Sequence, residues 1–490
     1  MLVLILFSFL LLAPALQGVW DFRTQFVFEA AVFLTGGLWL FRESLAGGLS
    51  CRLFEKRNIP LWLAAFFSLL AAALSPVRAL VMPEWWTFAA GIFILTLAGC
   101  LKAGERRWTD MALRLSAWLV ALLSLYQAFI LKSSDISASL TNPNALALFT
   151  LMLLPLAIVW KDFVLMVALV ITLLWTQSEA ALLALLVAAG FYAKDNMKAE
   201  DVKKNLPVFL LMAAIAALAL SQLELRSFLD RFGWWHAALR MFADRPALGF
   251  GPGAFAYVYP AYHGAYGSGL STIYVHNYYL EFLAENGFFA FIFWGWAVAA
   301  RVRETSGLKK YALIAALAHS FTDFGLAVPA NFFVFCYLLT GPAGDEPAVR
   351  PTARWQAAAA AAMGLLLAAH MSGVFFRKTA IEALYFSAMK AYSAGECSAA
   401  EGFLETAHKR EPGNPVIPQI LGQIRMREGF ERKEMPMLFR AAVSYERALA
   451  LNPYNAAAYR DLRSLYLAAG EEKMAADLLA RKREVFRWER

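Results

Sequence analysis

The stretch Ser271–Trp296, STIYVHNYYLEFLAENGFFAFIFWGW, joins a polar loop to a long apolar run that starts near Tyr278. His276 and Asn277 stand at its head, and Glu281 and Glu285 lie inside it. A run of this length and composition reads as a membrane-crossing helix. Carboxylates inside such a helix are costly and are expected to face protein rather than lipid. Glu281 and Glu285 are four residues apart and share a helix face.

The rest of the chain has the same character. Of 490 residues 60% are hydrophobic and 17% charged, against about half apolar in a soluble domain. Apolar segments fall near 2–19, 25–42, 59–75, 86–101, 110–131, 143–160, 163–177, 180–193, 207–220, 278–300, 311–329, 331–343 and 355–375. These are about thirteen expected spans, the first read as uncleaved, with 180–193 and 331–343 short enough to be partial or re-entrant. The predicted fold class is all-α, a polytopic helical membrane protein, because helices satisfy their own backbone in lipid. Four cysteines without metal-ligand spacing point to neither a disulfide framework nor a metal site. The net charge of +8 is read through topology and not as a nucleic-acid footprint.

Basic residues concentrate in alternate loops: Arg52, Lys56 and Arg57; Lys102, Arg106 and Arg107; Lys194, Lys198, Lys203 and Lys204; Arg301, Arg303, Lys309 and Lys310. Positive loops stay cytoplasmic. The loop of about 221–277 is therefore expected outside, and with thirteen spans so is the tail. Two domains are predicted, residues 1–376 in the membrane and 379–490 as a helical repeat domain. In the tail, Ala400, Leu404, Ala407 and Pro412 are spaced like Ala441, Tyr445, Ala448 and Pro453. This resembles tetratricopeptide repeats, interrupted near Gly429–Leu438, and suggests a concave face for a protein or glycan. A plain helical hairpin tail is the simpler reading.

The outer loop carries Arg226, Arg231, Arg240 and Arg245 among many Trp and Tyr. Arginine suits a diphosphate through bidentate, permanently charged contacts, although arginines at headgroup level also snorkel. Arg231 and Arg240, nine positions apart, are expected on one side of a helix. Histidine accepts a proton from a hydroxyl near neutral pH. Gly249, Gly251 and Gly253 form GFGPG, which lacks the spacing and lysine of nucleotide-binding loops.

Taken in order, several pieces resemble the O-antigen ligase/polymerase family of membrane glycosyltransferases. They are Arg231-x-x-x-Trp235-x-x-Ala238-Leu239, Pro246-x-x-Gly249-x-Gly251, His276-Asn277-x-Tyr279-Leu280 and Glu285-x-Gly287, flanked by Asn142-Pro143-Asn144 and His319-Ser320-x-x-Asp323. The resemblance covers about residues 135–340. It implies a bacterial inner-membrane enzyme that moves a glycan from undecaprenyl diphosphate to an acceptor hydroxyl, inverting the anomeric centre without a metal or other cofactor. The acceptor would be lipid A core, another lipid-linked glycan or a protein, and the partners would otherwise be membrane lipids and a ligand of the repeats. By the resemblance His276 is the base, Arg231 holds the donor diphosphate, and Arg240, Arg245, Asn277 and Glu285 line the substrate, Glu285 pairing with a loop arginine. Asn142 and Asn144 are expected to tie down a helix start, and His319 and Asp323 to form either a relay or interhelical glue. Ser178-Glu179 departs from the Ser-Arg that members often carry. A non-catalytic scaffold and a polysaccharide transporter are the competing classes, although no internal symmetry favours the latter.

Overall fold

A computed structural model describes residues 1–45, 55–198, 200, 225–264, 272–341 and 354–488. The expected span 207–220, the loop residues 221–224 and 265–271, and Cys51, Arg52, Lys203 and Lys204 lie outside the described residues, as does the side chain of Arg226. Among the described residues there are nineteen α-helices and no strand.

The membrane domain is built from α1 (Leu2–Ala15), α2 (Phe22–Leu45), α3 (Ile59–Ala73), α4 (Arg78–Ala98), α5 (Ala103–Leu125), α6 (Pro143–Val159), α7 (Phe163–Trp175) and α8 (Glu179–Asn196). The loop follows with α9 (Leu225–Asp244) and the short α10 (Phe255–Val258). Then come α11 (Tyr278–Glu304), α12 (Leu308–His319), α13 (Pro329–Leu338) and α14 (Arg354–Ser393). Four helical stretches are long and apolar enough to cross a membrane alone: Arg23–Glu43, Arg78–Ala98, Ala103–Ile130 and Tyr278–Glu304. Among the shorter apolar helices, α6 and α13 are buried along most of their length. Every residue of α13 is buried, so this half-length helix has protein on all sides, where membrane-depth backbone is tolerated. The expected span 311–329 ends at His319. Pro329 forces Val328 into an extended conformation (φ −76°, ψ 120°) and starts α13 afresh.

Helix α11 is not the continuous helix its sequence suggests. Gly287 has φ 71° and ψ −179°, which breaks it. The break releases carbonyls that would otherwise bond within the helix. The Phe250 N–H donates to Ala284 O (3.2 Å) and the Gly251 N–H to Glu285 O (2.7 Å), while the Phe288 N–H donates back to Pro246 O (2.8 Å). The loop segment 246–253 is thus seated in the broken helix. The contact leaves no room for side chains: a Cβ on Gly287 would lie 2.4 Å from Ala247 O, and one on Gly249 2.4 Å from Glu285 O.

The basic loops meet at the opposite end of α11. Arg301 donates to Asn58 (2.6 Å), Arg106 to Gly341 O (2.5 Å) and Lys309 to Thr340 O (2.8 Å). The broken helix α11 runs from the His276 end of the bundle to this face.

The expected domain boundary at 376–379 falls within α14, which runs unbroken for 40 residues. Its membrane half presses glycine to glycine against α2, where a Cβ on Gly37 would lie 2.8 Å from the Gly364 carbonyl carbon. Its far half packs on α15 (Cys397–Arg410), the first of the tail helices, which continue as α16 (Val416–Arg432), α17 (Met435–Leu451), α18 (Ala456–Ala468) and α19 (Glu472–Val485), each packing on the next. Ala400, Leu404, Ala407, Ala441, Tyr445 and Ala448 are fully buried, and the Tyr445 ring sits over Gly422. The tail docks on the loop. Tyr454 meets Phe250 and Tyr262, Arg487 pairs with Asp244, and the Arg240 guanidinium lies 4.5 Å over the Trp488 ring. Tail and loop therefore share one side of the bundle.

Two outcomes follow from this packing. Gly287→Ala should lower stability by about 2–4 kcal/mol, through strain and a backbone clash. Gly295→Ala, in the same helix with no atom near its Cβ position, should be neutral or slightly stabilising. Thermal unfolding of the detergent-solubilised protein compares them, and equal midpoints would refute the clash. Trp488→Ala should speed amide exchange over residues 240–264 by a factor of about 2–30, the equivalent of a cation–π contact of about 0.5–2 kcal/mol; unchanged exchange would show that the contact contributes nothing.

Candidate functional site

His276 begins the site with strained backbone. Its φ is 53°, a left-handed value uncommon outside glycine and worth about 1–3 kcal/mol of strain. The two neighbouring residues hold it there. The Glu281 carboxylate reaches back from the first turn of α11 and accepts the Val275 N–H (2.8 Å). Asn277 is the N-cap of α11, its side-chain oxygen accepting the Leu280 N–H (3.0 Å). Asn277, expected against substrate, is 2% exposed and spends its side chain on that cap.

The His276 ring is held on two faces. Trp234 of α9 stacks on it at 4.9 Å, and Phe324 stands edge-on at 5.0 Å. Its Nδ1 faces the Asp323 Oδ2 at 3.5 Å, and the side chain keeps 19% exposure, enough to meet a substrate. Asp323 is fully buried and anchored, accepting its neighbour's Phe324 N–H (2.8 Å) and the Asn144 side-chain N–H (2.9 Å). Asn142 caps α6 by accepting the Asn144 N–H (2.8 Å). The expected helix-start role of Asn142 is thus seen directly, while Asn144 does more and steadies the aspartate. The i,i+4 spacing of His319 and Asp323 suggests a mutual pair. Instead the carboxylate turns to His276, and among the described residues the fully buried His319 ring has no hydrogen-bond partner.

Arg231 lies one turn before Trp234 on α9, so the two side chains leave the helix on neighbouring faces. The electrostatic field of Arg231 acts on both His319 and Glu179. Glu179, the residue that departs from the family pattern, is thus within electrostatic range of the arginine expected to hold the donor.

The other arginines are placed elsewhere. Nine residues are two and a half turns, so Arg240 emerges on the face opposite Arg231, which corrects the expectation of a shared side. Arg240 donates to Tyr262 O (3.1 Å) and lies over Trp488. Arg245 donates to Leu74 O (3.1 Å) beside the Phe250 ring. Burial, and the Asp244 carboxylate that accepts its proton at 2.8 Å, push the Tyr262 phenol well up. Tyr262 therefore serves this dock as a donor. Glu285, expected to pair with a loop arginine, instead accepts the Gly253 and Phe255 N–H groups at 2.8 and 2.9 Å. It ties the GFGPG loop to α11 from the side chain, as the break at Gly287 does from the backbone.

His276, Arg231, Asp323, Asn144 and Trp234 are thus gathered from four separate parts of the chain. Sequence reading assigned Trp234 and Glu281 no role. Trp234 is one aromatic among many in this loop, and Glu281 acts on a backbone conformation that residue types do not reveal.

No curated protein matches the chain. Residues 164–295 match the family model described as O-antigen ligase. The matched stretch contains Glu179, Arg231, His276 and the loop seated in α11, and stops short of Asp323. Over this segment, about a quarter of its length, the multi-pass membrane chain is similar to the O-antigen ligase family.

Proposed function

We propose that this protein transfers a glycan from an undecaprenyl-diphosphate-linked donor to an acceptor hydroxyl at the outer face of the inner membrane. The observation that carries the reading is a held, partly exposed His276 that faces Asp323 and stacks on Trp234 of α9, the helix that carries Arg231, at the end of the bundle opposite the basic loops. His276 Nδ1 faces Asp323, which leaves Nε2 to take the acceptor's proton. The acceptor oxygen then forms a bond to the anomeric carbon as the bond from that carbon to the diphosphate oxygen breaks. In-line displacement inverts the centre. Asp323 stabilises the imidazolium that forms, as carboxylates do beside catalytic histidines. Charge grows on the departing lipid diphosphate, and Arg231 is the cation beside it. Glu179 would steady Arg231 in the empty site and limit the positive field offered to the donor. No metal or cofactor is assigned to the reaction.

Arg240 and Arg245 belong in this reading to the dock of loop and tail, and Asn277 and Glu285 to the framework around the substrate. The acceptor is a glycolipid, a lipid-linked glycan or a protein hydroxyl. The tail, packed beside the loop, is suited to present it.

Transfer in membranes with matched protein levels separates these roles. His276→Ala should lower transfer by about 10²–10⁴-fold, the usual share of a general base, and Arg231→Ala by about 10²–10³-fold. Arg240→Ala should stay within about tenfold of wild type, since its partners lie in the dock. Undiminished transfer in His276→Ala would sink the mechanism and favour a scaffold, for which loss of residues 379–490 would be the damaging change.

A further inference from the structure

A cavity of about 270 Å³ lies beneath the GFGPG loop, between α2, α4, α11 and α13. Its volume is at the lower end of the roughly 300–1,000 Å³ of small-molecule sites. Trp20, Tyr257 and Tyr274 give it flat aromatic walls, and Gln25, Glu84 and Glu281 give it polar groups. Glu285 adds a third carboxylate. Among the described residues that line it there is no lysine, arginine or histidine. The cavity adjoins the site through shared residues. Tyr274 and Tyr278 line it from either side of the His276 turn, and the Glu281 that faces it holds Val275. Tyr274 also stacks at 4.3 Å on Phe324, the ring that stands against His276.

Such a chamber in a membrane domain suits a hydroxyl-rich ring. Aromatic faces cover the C–H surface of a sugar, and carboxylate and amide oxygens accept its hydroxyl protons. The sign of its charge goes further. A uronic acid or a phosphate would bring its charge into a lining of three carboxyl groups with no cation to offset it, and burying an unpaired anion in a low dielectric is strongly disfavoured. We propose that this cavity seats one neutral or amino-bearing sugar ring of the glycan and rejects acidic sugars, so that it sets the charge specificity of the transfer. The inference rests on the glycan-transfer reading above. It divides the substrate between two fields, the diphosphate at Arg231 and an uncharged or basic sugar at Glu84 and Glu281. The ring is either the first sugar of the donor or the terminal sugar of the acceptor, since both bring the same chemistry.

The test uses the full-length chain in membranes, with lipid-linked donors whose first sugar is either an N-acetylhexosamine or a hexuronic acid. Acceptor glycans carry the same two terminal sugars. The readout is the ratio of transfer rates within one preparation, which protein yield does not move. Wild type should favour the neutral sugar by about tenfold or more. The partner for which the preference appears identifies whether donor or acceptor occupies the cavity. Glu84→Gln should reduce the preference. Tyr257→Arg, at a half-exposed position on the cavity wall, should reduce it further by supplying a cation. A ratio near one in wild type, or a preference that neither variant moves, would overturn the cavity's role while leaving glycan transfer standing. Absence of transfer with every pair would overturn both readings.

Discussion

The break in α11 at Gly287 is the constraint on which the rest of the structure depends. A helix that gives up two carbonyls at membrane depth must have them satisfied by protein, because lipid offers no donor. Here the donors are Phe250 and Gly251 of the loop. The exchange fixes the loop at one depth and one register. It places α9 alongside the head of α11, and so Trp234 beside His276. It also forms the roof of the acidic cavity. A single non-helical glycine thereby sets the geometry of both the candidate site and its neighbouring chamber.

The buried carboxylates around the candidate site hold backbone. Glu285 holds two loop amides, Glu281 holds the residue before His276, and Asp323 holds the amide after itself. Each relieves the desolvation cost of an orphan N–H and a carboxylate together. The arrangement also explains why a strained histidine conformation persists. The left-handed backbone at His276 is bracketed by a clamp on one side and a helix cap on the other, and its ring is held by Trp234 and Phe324. Preorganisation of this kind leaves little freedom for the ring to lose when a substrate arrives.

The tail is joined to the membrane domain in two ways, by the continuous helix α14 and by the dock at Trp488, Arg487 and Tyr454. The dock accounts for one arginine of the loop that would otherwise be counted as anion-binding. Arg240 has an aromatic face and a carbonyl for partners, and Asp244 has Arg487. Charge on the loop surface is thus partly internal to the protein, with Arg240 and Asp244 both partnered in the dock.

By itself the sequence determined the all-α membrane class, from the length of apolar runs and the alternation of basic loops, since helix is the one local solution to backbone burial in lipid. It also marked His276, Arg231 and the glycine-rich loop, because those residue types are rare in such surroundings. What only the tertiary structure decided was partnership. Glu285 could not be assigned to backbone amides instead of an arginine without the broken helix, and Asp323 could not be assigned to His276 instead of His319 without the turn that ends α12. Arg240 was legible as lying opposite Arg231 from helical period alone, but its contact with Trp488, 248 positions away in the numbering, was not. The physical reason is common to all three. Local periodicity fixes which way a side chain points along its own helix, while the group it meets depends on how distant segments pack.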